Sequence, residues 1–209
     1  ELAKLRRVIV VCFPAKSPRA VTLVDVAARE LATFVDGELD EARKRLDQYD
    51  VICGIGVREL LRQLGVDPEE RRLAELGPPQ KSITLNQRGR SLKITTAMLI
   101  QGSCGIGKPF GDPAKMAGYL EKGQIGRLRD RLEADAKSLY ALYNYGRVHG
   151  CVRLRWGFLD EIFPAPWLHR DEEFLYGVIR RAFDANTPME VVVGNAPGWA
   201  DPWARAQVC

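Results

Sequence analysis

Short apolar runs separated by turn residues open the chain. VIVVCF (8–13), AVTLVDVA (20–27) and LATFV (31–35) are rich in β-branched residues, and PAKSP and a charged Ala-Arg-Glu step part them. This pattern predicts three successive strands, because β-branched side chains pack well on a pleated surface. From Asp36 the period changes. Leu39, Ala42, Leu46 and Tyr49 recur every three or four residues through the charged segment DGELDEARKRLDQY, the spacing of an amphipathic surface helix. DVICGIG reads as a fourth strand. Val57, Leu60, Leu61 and Leu64 then mark a second helix ending at Gly65, since glycine takes the left-handed C-cap conformation at little cost.

The stretch GVDPEERRLAELGPPQ predicts a short helix with a Pro-Pro stop, a candidate lid, loop or peripheral insertion. In SITLNQRGRSLKIT, Ile83 and Leu85 answer Leu92 and Ile94 across a turn with Asn86 and Gly89, which predicts a hairpin. Residues 102–113 read as a Gly-Pro loop, and a long helix is expected from about Gln124 to Tyr145. After Gly150 come a strand (CVRLRW), a Pro-punctuated loop (FPAPW), a helix (DEEFLYGVIRRAF), a strand (MEVVV) and a Trp-containing tail. The order predicts an α/β fold, a mixed sheet flanked by helices over residues 1–150, with residues 151–209 as a C-terminal α+β extension packing on it.

Composition changes this picture little. With 209 residues, 46% hydrophobic and 28% charged, the chain has the balance of a folded domain and not of a disordered one. A net charge of +4 is too small to argue for nucleic acid by itself. No apolar run approaches the roughly 18 to 20 residues of a bilayer span, and no secretory signal is visible, so a cytoplasmic location without a membrane partner is expected. Cys12, Cys53, Cys104, Cys151 and Cys209 are widely spaced, with only His149 and His169 to assist, which argues against a disulfide scaffold or a zinc site. Cys12 and Cys53 read as buried core thiols.

Two segments carry candidate chemistry. GSCGIGKP (102–109) fits part of a phosphate-binding loop, but Pro109 stands where a hydroxyl and the first turn of a helix are needed, so the segment reads as a glycine loop. The long helix is more specific. Its apolar stripe runs Ile125, Leu128, Leu132, Leu139 and Leu142, and Asp135 falls in the middle of it. A carboxylate aimed at a core must be paired or hold a metal. The plain alternative is that Asp135 sits at the stripe's edge and pairs with Arg131, four residues earlier, or with Lys137.

The run EADAKSLYAL resembles the third exonuclease motif of the DEDD superfamily, especially the proofreading domains of archaeal family B DNA polymerases and their stand-alone relatives. YDVICGIGVRELLRQLGV has the shape of the second motif, KITTAML resembles the strand that follows it, and VIVVCFP stands where the first motif's strand would lie. The resemblance covers about residues 6–148 and implies an RNase H-like fold. Active members hold two divalent cations, one activating water and the other stabilising the leaving 3′ oxygen. Carried over residue by residue, the first motif's Asp and Glu fall on Cys12 and Pro14, neither a ligand suited to Mg²⁺. The second motif's Asn falls on Ile55 and its Asp on Arg58 or Glu59. In the third motif Asp135 is retained, and the water-orienting Tyr falls on Arg131, whose charge replaces that of a missing cation. The resemblance therefore implies a catalytically degenerate 3′-5′ exonuclease-like domain, binding nucleic acid or a replication or repair partner without cleaving, with no cofactor expected. The alternative it leaves open is an active exonuclease with Asp135 and Glu59 as catalytic residues and Asp135 as a ligand of Mg²⁺ or Mn²⁺, helped by Asp25 or Asp112. A third reading is a protein-protein scaffold.

Lys81, Arg88, Arg90 and Lys93 lie in or beside the predicted hairpin, with no acidic residue from Lys81 to Leu99, and are the candidate contacts to DNA or RNA phosphates. Arg127, Arg129 and Arg131 alternate with Asp130 and Glu133 and read as a salt-bridged helix face. Trp156, Trp167, Trp199 and Trp203 cluster in the last quarter as a candidate partner surface.

Overall fold

In the computed structural model, which describes residues 5–85, 91–165 and 167, the side chains of the first strand alternate between two apolar cores. Val8, Val10 and Cys12 enter one, and Val11 and Phe13 the other, as the two-residue period of a strand requires. In chain order the elements are β1 (Arg7–Phe13), β2 (Ala20–Asp25), β3 (Glu30–Val35), α1 (Leu39–Leu46), β4 (Val51–Gly54), α2 (Val57–Gln63), β5 (Arg72–Glu75), β6 (Ser82–Thr84), β7 (Ser91–Lys93), α3 (Thr96–Cys104), α4 (Pro113–Glu121), α5 (Ile125–His149), β8 (Cys151–Trp156) and β9 (Leu159–Pro164). Contacts divide the described residues into two compact units, 5–77 with 106–141, and 78–85 and 91–105 with 142–165 and 167. The described part of the expected extension thus shares a unit with β6, β7, α3 and the end of α5.

The first of these units is a five-stranded mixed sheet of order β3-β2-β1-β4-β5. β2 runs antiparallel to β1 (Val10 opposite Leu23) and to β3, whereas β4 is parallel to β1 (Ile9 opposite Cys53) and β5 to β4. Parallel neighbours need crossovers, which α1 and α2 supply. Ala42 and Leu46 of α1 and Val57 and Leu61 of α2 bury against Val8, Val10, Val21 and Leu23 on one sheet face. Met116 of α4 and Leu128 and Leu132 of α5 bury against Ala20, Val35, Val11 and Phe13 on the other. The mixed sheet flanked by helices is therefore as the sequence predicts.

Three local expectations fail, each for a physical reason. Residues 72–75 form β5, a sheet strand and not a peripheral helix. Pairing of Leu73 with Ile52, together with burial of Ala74 and Leu76, outweighs the helix propensity of RLAE. KITTAML does not continue as a strand: Thr95 accepts a hydrogen bond from the Met98 N–H (3.3 Å) as N-cap, and a helix runs to Cys104. The expected loop 102–113 therefore begins only at Gly105. It ends at α4, which starts with the Asp112 side chain accepting from the Ala114 N–H (2.9 Å) and Pro113 in the first turn. Likewise the expected loop FPAPW begins inside β9, which takes in Phe163 and Pro164 and pairs with β8 around a two-residue turn. The helix DEEFLYGVIRRAF, the strand MEVVV, Trp199 and Trp203 lie outside the described residues.

Cys12 and Cys104 are free thiols, and Cys53 is fully buried. Cys151 is disulfide-bonded, contrary to the expectation drawn from the wide cysteine spacing. Among the described residues no helix is long and apolar enough to cross a membrane.

Asp25 closes the β2–β3 turn. Its carboxylate accepts from the N–H groups of Ala27 and Ala28 (both 2.9 Å) and from the Tyr49 hydroxyl (3.1 Å), and the Arg6 guanidinium lies 3.7 Å away. Burial pushes its pKa up, but the Ala28 N–H, the Tyr49 hydroxyl, the Ala27 N–H and Arg6 together outweigh it and hold the pKa below the ordinary aspartate value. A depressed folded pKa stabilises the fold above the unfolded pKa, and that stabilisation is lost as pH falls through the folded value. Asp25→Asn is expected to cost about 1 kcal/mol at neutral pH and to leave a smaller difference in acid, read from urea unfolding at neutral pH and at about pH 3.

Candidate functional site

Asp135 stands one turn beyond Leu132 on α5 and is only 6% exposed. Leu128, Leu132, Leu139 and Leu142 are buried along the same helix, so the apolar stripe places this carboxylate where the sequence pattern puts it. Its Oδ1 accepts from Arg131 Nε (2.8 Å) and from the Gly111 N–H (3.0 Å). Arg131 also donates to the Pro109 carbonyl (3.3 Å), so the pair straps the loop before α4 onto α5. The strap needs glycine at 111, where a Cβ would lie 2.6 Å from Met116 Sδ and 2.8 Å from Arg131 Nε. Burial raises the Asp135 pKa; the Arg131 charge, the Gly111 N–H and the Arg131 hydrogen bond oppose it, and the balance stays above the ordinary value.

The other acidic candidates do not join Asp135. Glu59 is exposed on α2, bonded by Gln63 Nε2 (2.7 Å) and 3.8 Å from Arg62. α2 packs on the sheet face opposite α5, so Glu59 and Asp135 sit on helices covering different faces and share no partner. Asp25 follows Val21 and Leu23 onto the α2 face, where Tyr49 meets it. Asp112 is the N-cap of α4. Cys12 also packs on the α1 and α2 face, where burial pushes its thiol pKa far up, and the β1 residues packed on the α5 side are Val11 and Phe13. On that side the polar groups are a hydroxyl pair, Thr22 and Thr33 (2.9 Å), with Thr33 donating to Glu133 (3.3 Å). Among the described residues no three of His, Cys, Asp and Glu come together in a group that could hold a metal ion. A lone carboxylate already gripped by a guanidinium does not fit Mg²⁺ or Mn²⁺, which need several oxygen ligands.

The predicted hairpin is present, with Ile83 opposite Leu92 and Ser82 opposite Lys93. Alternation puts Lys93 on one face with the hydroxyls of Ser82, Thr84 and Ser91, and Ile83 and Leu92 on the other. Lys81 lies just before β6, its carbonyl accepting from the Ile94 N–H (2.9 Å), so the same alternation places it on the Ile83 side. Lys81 and Lys93 are both exposed, but they do not share a face. Arg88 and Arg90 lie outside the described residues.

Nothing in the sequence pattern marks Glu75 as a functional side chain. From the end of β5 its Oε1 accepts from the N–H groups of Gly56 (2.8 Å) and Gly77 (2.9 Å), and its Oε2 from Val57 (3.2 Å). A carboxylate thus satisfies donors at the start of α2, which no side chain of its own first turn caps. No spacing announces this, because only the pairing of β5 with β4 brings residue 75 to residue 56.

Fold and site together define a mixed α/β protein whose sheet is covered on both faces and whose longest helix buries an internally paired aspartate. Comparison with protein-family models, with curated proteins and with solved structures finds no match to this chain.

Proposed function

We propose that this chain is an RNase H-like, catalytically degenerate 3′-5′ exonuclease-like domain that binds nucleic acid or a replication or repair partner without cutting. The sheet order supports it: an antiparallel meander β1–β2–β3, a helix, parallel β4, a helix, parallel β5, and later a long helix with an acid at its centre. Two-metal hydrolysis needs several carboxylates converging on one point. The observation that carries the non-cleaving reading is the grip of Arg131 and the Gly111 N–H on Asp135, on a sheet face where Val11 and Phe13 occupy the β1 positions. Lys93 and its neighbouring hydroxyls offer phosphate contacts, which position a strand without reading its sequence. In this reading residues 151–209 are a C-terminal extension and the protein acts in the cytoplasm.

The test is incubation of the full chain with end-labelled single-stranded and duplex DNA and RNA in Mg²⁺ or Mn²⁺, with binding followed in parallel by anisotropy. No shortening is expected, together with binding that weakens as salt rises and a salt slope reduced by about 1 in Lys93→Gln. Cleavage abolished by Asp135→Ala would overturn the reading in favour of an active nuclease.

A further inference from the structure

The turn between β3 and α1 holds the only Asp-Gly step in the sequence, which has no Asn-Gly. Asp36, Gly37 and Glu38 form a single 3-10 turn there, and all three are exposed. Gly37 is its second residue, where a helix start leaves the backbone N–H without an intrahelical acceptor. Asp36 takes a left-handed conformation (φ +47°), which costs a residue that carries a Cβ. Both flanks of the step are braced. Arg19 binds the two oxygens of the Asp36 carboxylate, Nε to Oδ1 at 2.7 Å and Nη2 to Oδ2 at 3.0 Å, and the Arg19 carbonyl accepts from the Asp36 N–H (2.6 Å). On the other side Glu38 accepts from the Val35 N–H (3.0 Å) and from Arg129 (2.7 Å).

We infer that the Asp36-Gly37 link is a site of spontaneous isoaspartate formation and that Arg19 is the residue that restrains it. The step needs no partner. The Gly37 nitrogen attacks Asp36 Cγ, a C–N bond forms, the nitrogen gives up its proton, and one carboxyl oxygen leaves as water, closing a cyclic imide. Glycine matters because a Cβ on the next residue would crowd the attacking nitrogen. Water then adds at the Asp36 main-chain carbonyl and breaks the C–N bond there, so the chain runs through the side-chain carbonyl and the α-carboxylate is set free. Arg19 opposes the first stage through both of its hydrogen bonds: whichever oxygen leaves must first give up its guanidinium donor. Opening toward the isoaspartyl form is favoured because the rerouted main chain no longer holds an L residue at positive φ. The bidentate grip on Asp36 thus protects a peptide link that sequence and backbone conformation make labile.

The full chain, Arg19→Gln, Arg129→Gln and Gly37→Ala are held at neutral pH and physiological temperature for several weeks, with circular dichroism confirming that each stays folded. Isoaspartate is read by enzymatic carboxyl methylation with labelled S-adenosylmethionine and located by peptide mapping. The parent should accumulate it at Asp36 ahead of every other aspartate, with some chains lighter by one water. Arg19→Gln should accumulate it about fivefold faster, the factor an exposed ion pair is worth. Arg129→Gln, which removes the neighbouring pair and leaves the clamp intact, should match the parent. Gly37→Ala should suppress the product while keeping the fold, because nothing lies within 4 Å of the place its Cβ would take. Isoaspartate that forms at Asp36 only in urea, and in neither the folded parent nor folded Arg19→Gln, would overturn the site. Equal rates in the parent and Arg19→Gln, or an equal acceleration in Arg129→Gln, would trace the protection to the stiffness of the turn and overturn the role of Arg19.

Discussion

Gly102→Ala is expected to destabilise the protein by about 3 kcal/mol, although alanine ordinarily improves a helix interior by about 1 kcal/mol over glycine. Gly102 lies within α3, and a Cβ there would sit 2.2 Å from the Arg153 carbonyl oxygen and 2.9 Å from the Arg155 nitrogen. Both obstacles are backbone atoms of β8 and cannot rotate away. Ser103 fixes the same approach, its Oγ accepting from the Arg153 N–H at 2.8 Å, so α3 satisfies a β8 edge that β9 leaves unpaired. Clash therefore outweighs propensity. Urea unfolding of Gly102→Ala, with Gly118→Ala as control, checks the sign: Gly118 is helical, nothing lies within 4 Å of the place a Cβ would take, and its replacement should stabilise by up to about 1 kcal/mol. Two variants that move in the same direction would refute the close-approach account.

Asp135→Ala carries the second large effect. It leaves the Gly111 N–H without its acceptor and Arg131, whose side chain is 32% exposed, without its carboxylate. Breaking a fully buried pair costs about 3–5 kcal/mol, and water at Arg131 screens part of this, so about 2 kcal/mol is expected. A local readout accompanies it: hydrogen exchange at the Gly111 amide should accelerate. Asp135→Asn keeps a carbonyl acceptor and should cost about 1 kcal/mol or less. The raised pKa of Asp135 adds a sign. Its contribution is fully present below the unfolded pKa and is lost as pH rises through the folded value, the reverse of Asp25. In Asp135→Asn the rise of stability with pH through the acid range should therefore become steeper than in the parent, measured by urea unfolding between about pH 3 and neutrality.

Much of the fold is written in local periodicity. The first three strands, the helix at 39–46, the β6–β7 hairpin and the long helix all follow from alternation or three-and-four spacing, which a single element displays by itself. So does the burial of Asp135, because the stripe through Leu128 and Leu132 carries it inward, and even its partner Arg131 lies one turn away. α4 is not among the helices the sequence predicts, although Asp112-Pro113 has the residue types of a helix start.

The remainder depends on residues far apart in the chain. RLAE became a strand because β4 offered it hydrogen bonds, and Glu75 reached the start of α2 as a result. The resemblance puts Cys12 at a first-motif position and Asp135 at a third-motif position of one expected site, yet strand alternation sends Cys12 to the α1 and α2 side of the sheet and α5 covers the other. In the sequence Gly102 reads as part of a glycine loop. Its role is set by Arg153, on a strand about fifty residues later that only folding brings against it. Near neighbours in the chain are enough to dictate which of these segments are helix or strand and which acid is buried. Which face each side chain meets, and which glycine must stay small, came from tertiary packing, because close approach is a property of two segments and neither contains it alone.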